Sequence, residues 1–209
     1  MVATWATKTD AAYAWLRGQI LDGSLPPGSA LDQERITLEL GLSTTPLREA
    51  LRRLEAEGLL TQIAHREMRV PPLTKKEIRD TYDIRLQLDP YAAKIGAARA
   101  SQEIRDQVVG LREFRPGATI PEMVAQHKAV HRLMYAAADN QPLTDLLDTL
   151  WDRSGRYIAI LLKEASELRL EHYRDVVNAF VAADSATVAR LLKASLVESR
   201  DALVARLDG

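Results

Sequence analysis

Apolar residues recur at helical spacing along nearly the whole chain, with one short interruption. Tyr13, Leu16 and Ile20 share one face of a helix predicted over 10–22, with Asp10 as its cap and Gly23 as its stop. A second helix is predicted over 32–40, turning Ile36 and Leu40 inward and ending at Gly41. A third starts at Thr44 or Thr45, with Pro46 in its first turn, where a missing N–H costs nothing. Leu47, Ala50, Leu51, Leu54 and Gly58 form its buried stripe. The stretch "LLTQIAHREMRVPP" then breaks the helical period, and 59–63 and 68–70 read as two strands of a small hairpin.

Beyond Pro71-Pro72 no strand signal returns. A long helix is predicted over 74–100, with Pro90 as a candidate kink. Further helices are expected at 101–114, 120–138, 142–163, 166–183 and 185–207, punctuated by "RPGAT", "DNQP" and "AADS". The expected architecture is mainly α. A winged helix-turn-helix occupies 10–72 behind a loose tail at 1–9, and an all-α helical bundle occupies 73–209.

The bulk numbers narrow the function classes. The chain has 209 residues, no cysteine and a formal charge of −1, so disulfides and thiolate metal sites are excluded and a reducing cytoplasm fits. No apolar run reaches the roughly 20 residues that span a bilayer, so no membrane partner is expected. Residues 1–72 hold 8 Lys and Arg against 9 Asp and Glu. Any contact with DNA must therefore come from local clustering of cations.

Such a cluster exists. In a helix-turn-helix the second helix of the pair enters the major groove, tip first. Ser43, Thr44 and Thr45 at that tip are small enough for close approach, and amide N–H groups there favour phosphate. Arg48 and Arg52 are four apart and share the face opposite the leucines, where a guanidinium can fork onto guanine or grip a phosphate. Arg35 on the second helix and His65 and Arg66 in the hairpin complete the candidate DNA-binding set. The bland alternative is a surface helix whose arginines pair with Glu49, Glu55 and Glu57.

The second half offers metal chemistry. "AQHKAVHRLM" places His127 and His131 one helical turn apart, and "LRLEHYRDVV" supplies His172 from a later helix. Three imidazoles would hold a divalent metal, zinc or nickel, with open coordination positions. Arg85 would be costly to bury unpaired, so it either bonds Asp89 four residues on or awaits a ligand carboxylate. Arg156 is a further candidate for an effector pocket. A metal-dependent hydrolase built on His127, His131 and His172 is the enzyme alternative. It lacks an identifiable general base and gives the winged helix no use.

The stretch "ILDGSLPPGSALDQERITLELGLSTTPLREALRRLEAEGLL" resembles the DNA-binding module of GntR-family bacterial transcription regulators over residues 17–72. The resemblance implies operator contacts at Thr45, Arg48 and the wing. Many members carry arginine where this chain has Thr44, and the wing normally holds a glycine that "AHREMRV" lacks. Residues 78–200, with "IRLQLDPYAAKIGAARAS", "HKAVHRLMYAAADNQPL" and "LEHYRDVVNAFVAAD", resemble the FCD effector domain in its six-helix, VanR-like form. That resemblance implies a homodimer and a metal held by an aspartate and three histidines. Here His127 takes the aspartate position, His131 and His172 match, and Ser195 stands where the last histidine is expected. Together these features imply a cytoplasmic repressor that binds double-stranded operator DNA and responds to a small carboxylate.

Overall fold

The computed structural model describes residues 7–63, 67–163 and 167–207, and for 155, 156 and 167–169 it describes the backbone only. Among the described residues there are nine helices and one hairpin. They divide into two compact units, Met1–Leu73 and Thr74–Gly209.

In the first unit α1 spans Lys8–Leu21, α2 Gln33–Leu40 and α3 Thr44–Ala56. Thr7, not Asp10, caps α1: its hydroxyl oxygen accepts from the Asp10 N–H at 3.1 Å. Asp10 lies inside the first turn, and its carboxylate instead takes Nη1 of Arg53 on α3 at 2.8 Å. Asp32 caps α2, and Gly41 ends it at φ 61°, a left-handed conformation that costs glycine little. Leu47, Ala50, Leu51 and Leu54 are buried as their spacing predicts. Gly58 does not extend that stripe. It lies past the helix end, exposed, with φ +72°.

The hairpin is shorter than its sequence pattern suggests. Strands β1 (Thr61–Ile63) and β2 (Glu67–Arg69) pair antiparallel, with Gln62 opposite Met68. Leu59, Leu60 and Val70 flank the strands and join a core with Leu16, Ile20, Ile36 and Leu54. Gly28 and Leu31 hydrogen-bond across to Val70 and Met68, so the loop after α1 is stitched to the wing.

The second unit holds α4 (Lys75–Arg99), α5 (Gln102–Gly110), α6 (Ile120–Ala136), α7 (Gln141–Lys163), α8 (Glu167–Val181) and α9 (Ser185–Arg206). Helix α4 continues through Pro90 and packs along α9 and against α6 and α7. At Gly96 the α4 backbone comes so near α6 that an added Cβ would lie 1.9 Å from the Met134 carbonyl oxygen. Helix α5 stops at Gly110 rather than reaching 114, and Arg105 within it donates to the Phe180 and Val181 carbonyls at the end of α8. The Phe180 carbonyl also accepts from the Ala183 N–H at 3.1 Å, so Arg105 adds a side-chain cap to a helix end already closed by a turn.

Candidate functional site

The tip of α3 is built from short polar residues. Ser43 is its N-cap and makes no side-chain cap bond, whereas Thr7, Asp32, Thr74, Ser101, Thr119 and Asp184 all cap their helices. Ser43, Thr44 and Thr45 are exposed, so amide N–H groups of the first turn are open to an anion. Arg48 is exposed on the face away from Leu47, Ala50 and Leu51, and makes no ion pair with a described residue. Arg35 is exposed on α2. Arg52 donates to Glu49 at 2.9 Å, a solvent-exposed pair of small energetic weight. The arginines thus part ways: Arg53 ties α3 to α1 and lies over the Tyr13 ring at 4.0 Å, while Arg48 points outward. His65 and Arg66 lie outside the described residues.

The second unit encloses a cavity between α4, α6, α7, α8 and α9, with Arg85, His127, His131 and Ser195 on its wall. Arg85 is 1% exposed. Its Nε and Nη2 donate to one oxygen of Asp89, Oδ2, at 3.1 and 2.7 Å. Its guanidinium also lies 4.6 Å from the centre of the Trp151 ring. Burial works to lower the Arg85 pKa. The Asp89 charge, with Tyr82 and Tyr135 nearby, outweighs it and raises the value, so the guanidinium stays charged. Two atoms of the pair remain buried without a hydrogen-bond partner, Arg85 Nη1 and Asp89 Oδ1.

A polar chain continues from the same carboxylate. Tyr135 donates its hydroxyl to Asp89 Oδ2 at 3.0 Å, and His131 Nδ1 lies 2.9 Å from that hydroxyl. A hydroxyl has one hydrogen, and Asp89 takes it, so Nδ1 of His131 carries the proton and donates. Burial pushes the pKa of His131 well below its ordinary value, with His127 and Arg85 adding to the shift. Burial and the Arg85 charge do the same to His127. Both rings are neutral at pH 7, and their centroids are 4.7 Å apart. His127 Nδ1 is buried without a partner.

The structure brings two of the three expected metal ligands together and leaves out the third. His172 has a side chain 41% exposed and pairs with Glu198 through Nδ1 at 3.2 Å. The neighbouring residue, Tyr173, takes the inward position on α8, stacks on Phe114 at 5.3 Å and donates to the Leu111 carbonyl. Tyr173 takes the place beside His127, with the ring centroids 5.3 Å apart, while His172, about 100° round the helix, turns to Glu198. Among the described residues no group of three or more His, Cys, Asp or Glu is placed to hold a metal ion. A dication beside His127 and His131 would also face the Arg85 charge with no carboxylate on the described wall to balance it. The donor set therefore does not fit the zinc or nickel that the histidine spacing suggested. Ser195 does line the cavity. The side chain of Arg156 lies outside the described residues, and Arg153 is exposed.

A winged helix-turn-helix joined in sequence to an all-α unit with a charged cavity defines a ligand-sensing DNA-binding regulator. The chain belongs to the GntR family of bacterial regulatory proteins and carries an FCD domain: the former matches residues 8–70 and the latter residues 80–198. It is similar to the HTH-type transcriptional repressor GlaR of Escherichia coli, at 25% identity over 88% of this chain and 90% of that one. It is also similar to a probable D-xylose utilization operon transcriptional repressor of Paenarthrobacter nicotinovorans, 30% identical over 79% of this chain and 75% of that protein. The solved structure of E. coli McbR/YncC shares the fold, with a TM-score of 0.82 across 99% of this chain and 100% of its own, at 20% identity. The chain is thus a transcription regulator and not an enzyme, and the hydrolase alternative finds no support.

Proposed function

We propose that the chain is a homodimeric repressor whose first 72 residues bind operator DNA and whose residues from 73 onward bind a small carboxylate. The observation that carries the DNA half is the tip of α3, where an uncapped first turn stands beside the exposed Arg48. The N–H groups and the hydroxyls of Ser43, Thr44 and Thr45 would hold a phosphate, and Arg48 would reach a base edge. Arg52 and Arg35 would meet the backbone on either side. The observation that carries the effector half is Arg85 Nη1, a buried donor without a partner on a charged residue that lines the cavity. A carboxylate there would satisfy it.

Two-fold operators mirror two-fold proteins, and exposed Ile84 and Tyr91, seven residues apart on α4, offer an apolar face for a second copy. No helix among the described residues is long and apolar enough to cross a membrane, in keeping with work on cytoplasmic DNA. Selection of binding sites from random duplex DNA with the full chain tests this reading. Enrichment of a short pseudo-palindrome is expected. Recovery of no sequence preference overturns it.

A further inference from the structure

Among the described residues that line the cavity, Arg85 alone carries a charge. Its guanidinium is oriented by Asp89 on one edge and by the Trp151 ring on its face, and Nη1 is the donor left over. His127 Nδ1 is a second buried polar atom on the same wall without a partner. Most of the remaining wall is apolar, with Met134, Leu161, Val177 and Leu192 prominent, and Ser195 and Ser199 add hydroxyls on α9.

We infer that the effector is an acid with one carboxylate and a plain hydrocarbon body, held directly by Arg85 and His127 with no metal between protein and ligand. This rests on the cavity's being the effector site and states which acids it takes. The one guanidinium of the wall has one donor left beside its pair with Asp89, which serves a single carboxylate. A second carboxylate would leave water to face leucine and valine with no counter-charge. A sugar acid brings more hydroxyls than Ser195, Ser199 and the few other polar side chains of the wall can bond, and those left over would lose their hydrogen bonds to water. The carboxylate would take its strongest bond from Nη1, and the neutral His127 ring would donate to the other oxygen as its Nδ1–H tautomer. A metal bridge is not required, since His172 pairs with Glu198 outside the cavity wall. Binding would pull the guanidinium toward the ligand and loosen its hold on Asp89, and through it on Tyr135 and His131. That couples the ligand to the α4–α6 contact, on the helix that directly follows the linker to the DNA-binding unit.

The test uses the full chain in excess EDTA, with thermal unfolding and calorimetry on sodium pentanoate, sodium benzoate, pentanamide, glutarate and gluconate. Pentanoate or benzoate should raise the unfolding temperature. Pentanamide, which keeps the shape and loses the charge, should bind about ten- to a hundredfold more weakly than pentanoate. Glutarate and gluconate should leave the temperature unchanged. Ser195→Trp, which fills the cavity from a half-buried position, should abolish acid binding with helicity retained. The inference is overturned if amide and acid bind alike, if glutarate or gluconate is preferred, if zinc or nickel must be added, if neither monocarboxylate binds, or if Ser195→Trp binds as the parent does. Operator binding is measured on the same preparation. Loss of operator affinity with acid binding intact would remove the repressor reading and spare this one, and the converse result would do the reverse.

Discussion

Arg85 and Asp89 lie one helical turn apart on α4, and both guanidinium contacts, at 3.1 and 2.7 Å, fall on a single carboxylate oxygen. The other oxygen and the third guanidinium nitrogen are buried and unpaired. An ion pair at this depth is ordinarily bonded at every donor and acceptor, because each orphan loses water without compensation. The incomplete pair therefore costs the helical unit stability, and it is where the proposed carboxylate would bind.

Asp89→Asn removes the counter-charge and leaves a buried cation. Breaking such a pair costs about 3–5 kcal/mol. Denaturant unfolding followed by tryptophan fluorescence should show the loss, since Trp151 packs on the guanidinium. Unchanged stability would mean that Arg85 is solvated.

Arg48→Ala should weaken operator binding by about 1–3 kcal/mol if the side chain reads a base. The residue is exposed and pairs with no described residue, so the melting temperature should stay the same. Equal affinity of variant and parent removes Arg48 from the interface.

Gly96→Ala inserts a methyl group 1.9 Å from the Met134 carbonyl oxygen, which is backbone and has no rotamer to escape into. Helices α4 and α6 must separate, and forced overpacking typically costs about 1–3 kcal/mol. A drop of several degrees in the melting temperature checks this, and a stable alanine variant would contradict the close approach.

Acid should destabilise the helical unit through His127 and His131. Both folded pKa values lie below the ordinary histidine value, chiefly through burial, with Arg85 close to each. The unfolded chain therefore binds more protons below about pH 6.5, and stability, level above that pH, falls as pH drops. Each histidine contributes up to about 1.4 kcal/mol per pH unit. Unfolding measured between pH 7 and 5 should show the slope, and His127→Leu should reduce it. An unchanged slope in that variant would assign it to other groups.

Much of the fold could be read from local pattern. The stripe Leu47, Ala50, Leu51 and Leu54, the stop at Gly41 and the six helices after Pro72 each follow from side-chain period and terminal chemistry within a few residues. Structure and local pattern differ at the edges of elements, where distant partners intervene. Asp10 looked like a cap, but Arg53, 43 residues away, draws its carboxylate across to α3. The hairpin lost residues because Leu59, Leu60 and Val70 serve the core rather than the ladder.

Helical registers, the kinds of capping residue, the resemblance of both halves to known domains and the spacing of Arg85 and Asp89 are legible along the chain, because each depends on order within one element. Packing of the whole unit sets which way each helix is rolled about its axis. That rotation turns Tyr173 into the cavity and His172 onto Glu198, so the three histidines do not meet. It also leaves one nitrogen of Arg85 buried and unsatisfied. Helix rotation is set by how all the neighbouring faces share one interior, and no single helix carries that information in its own spacing.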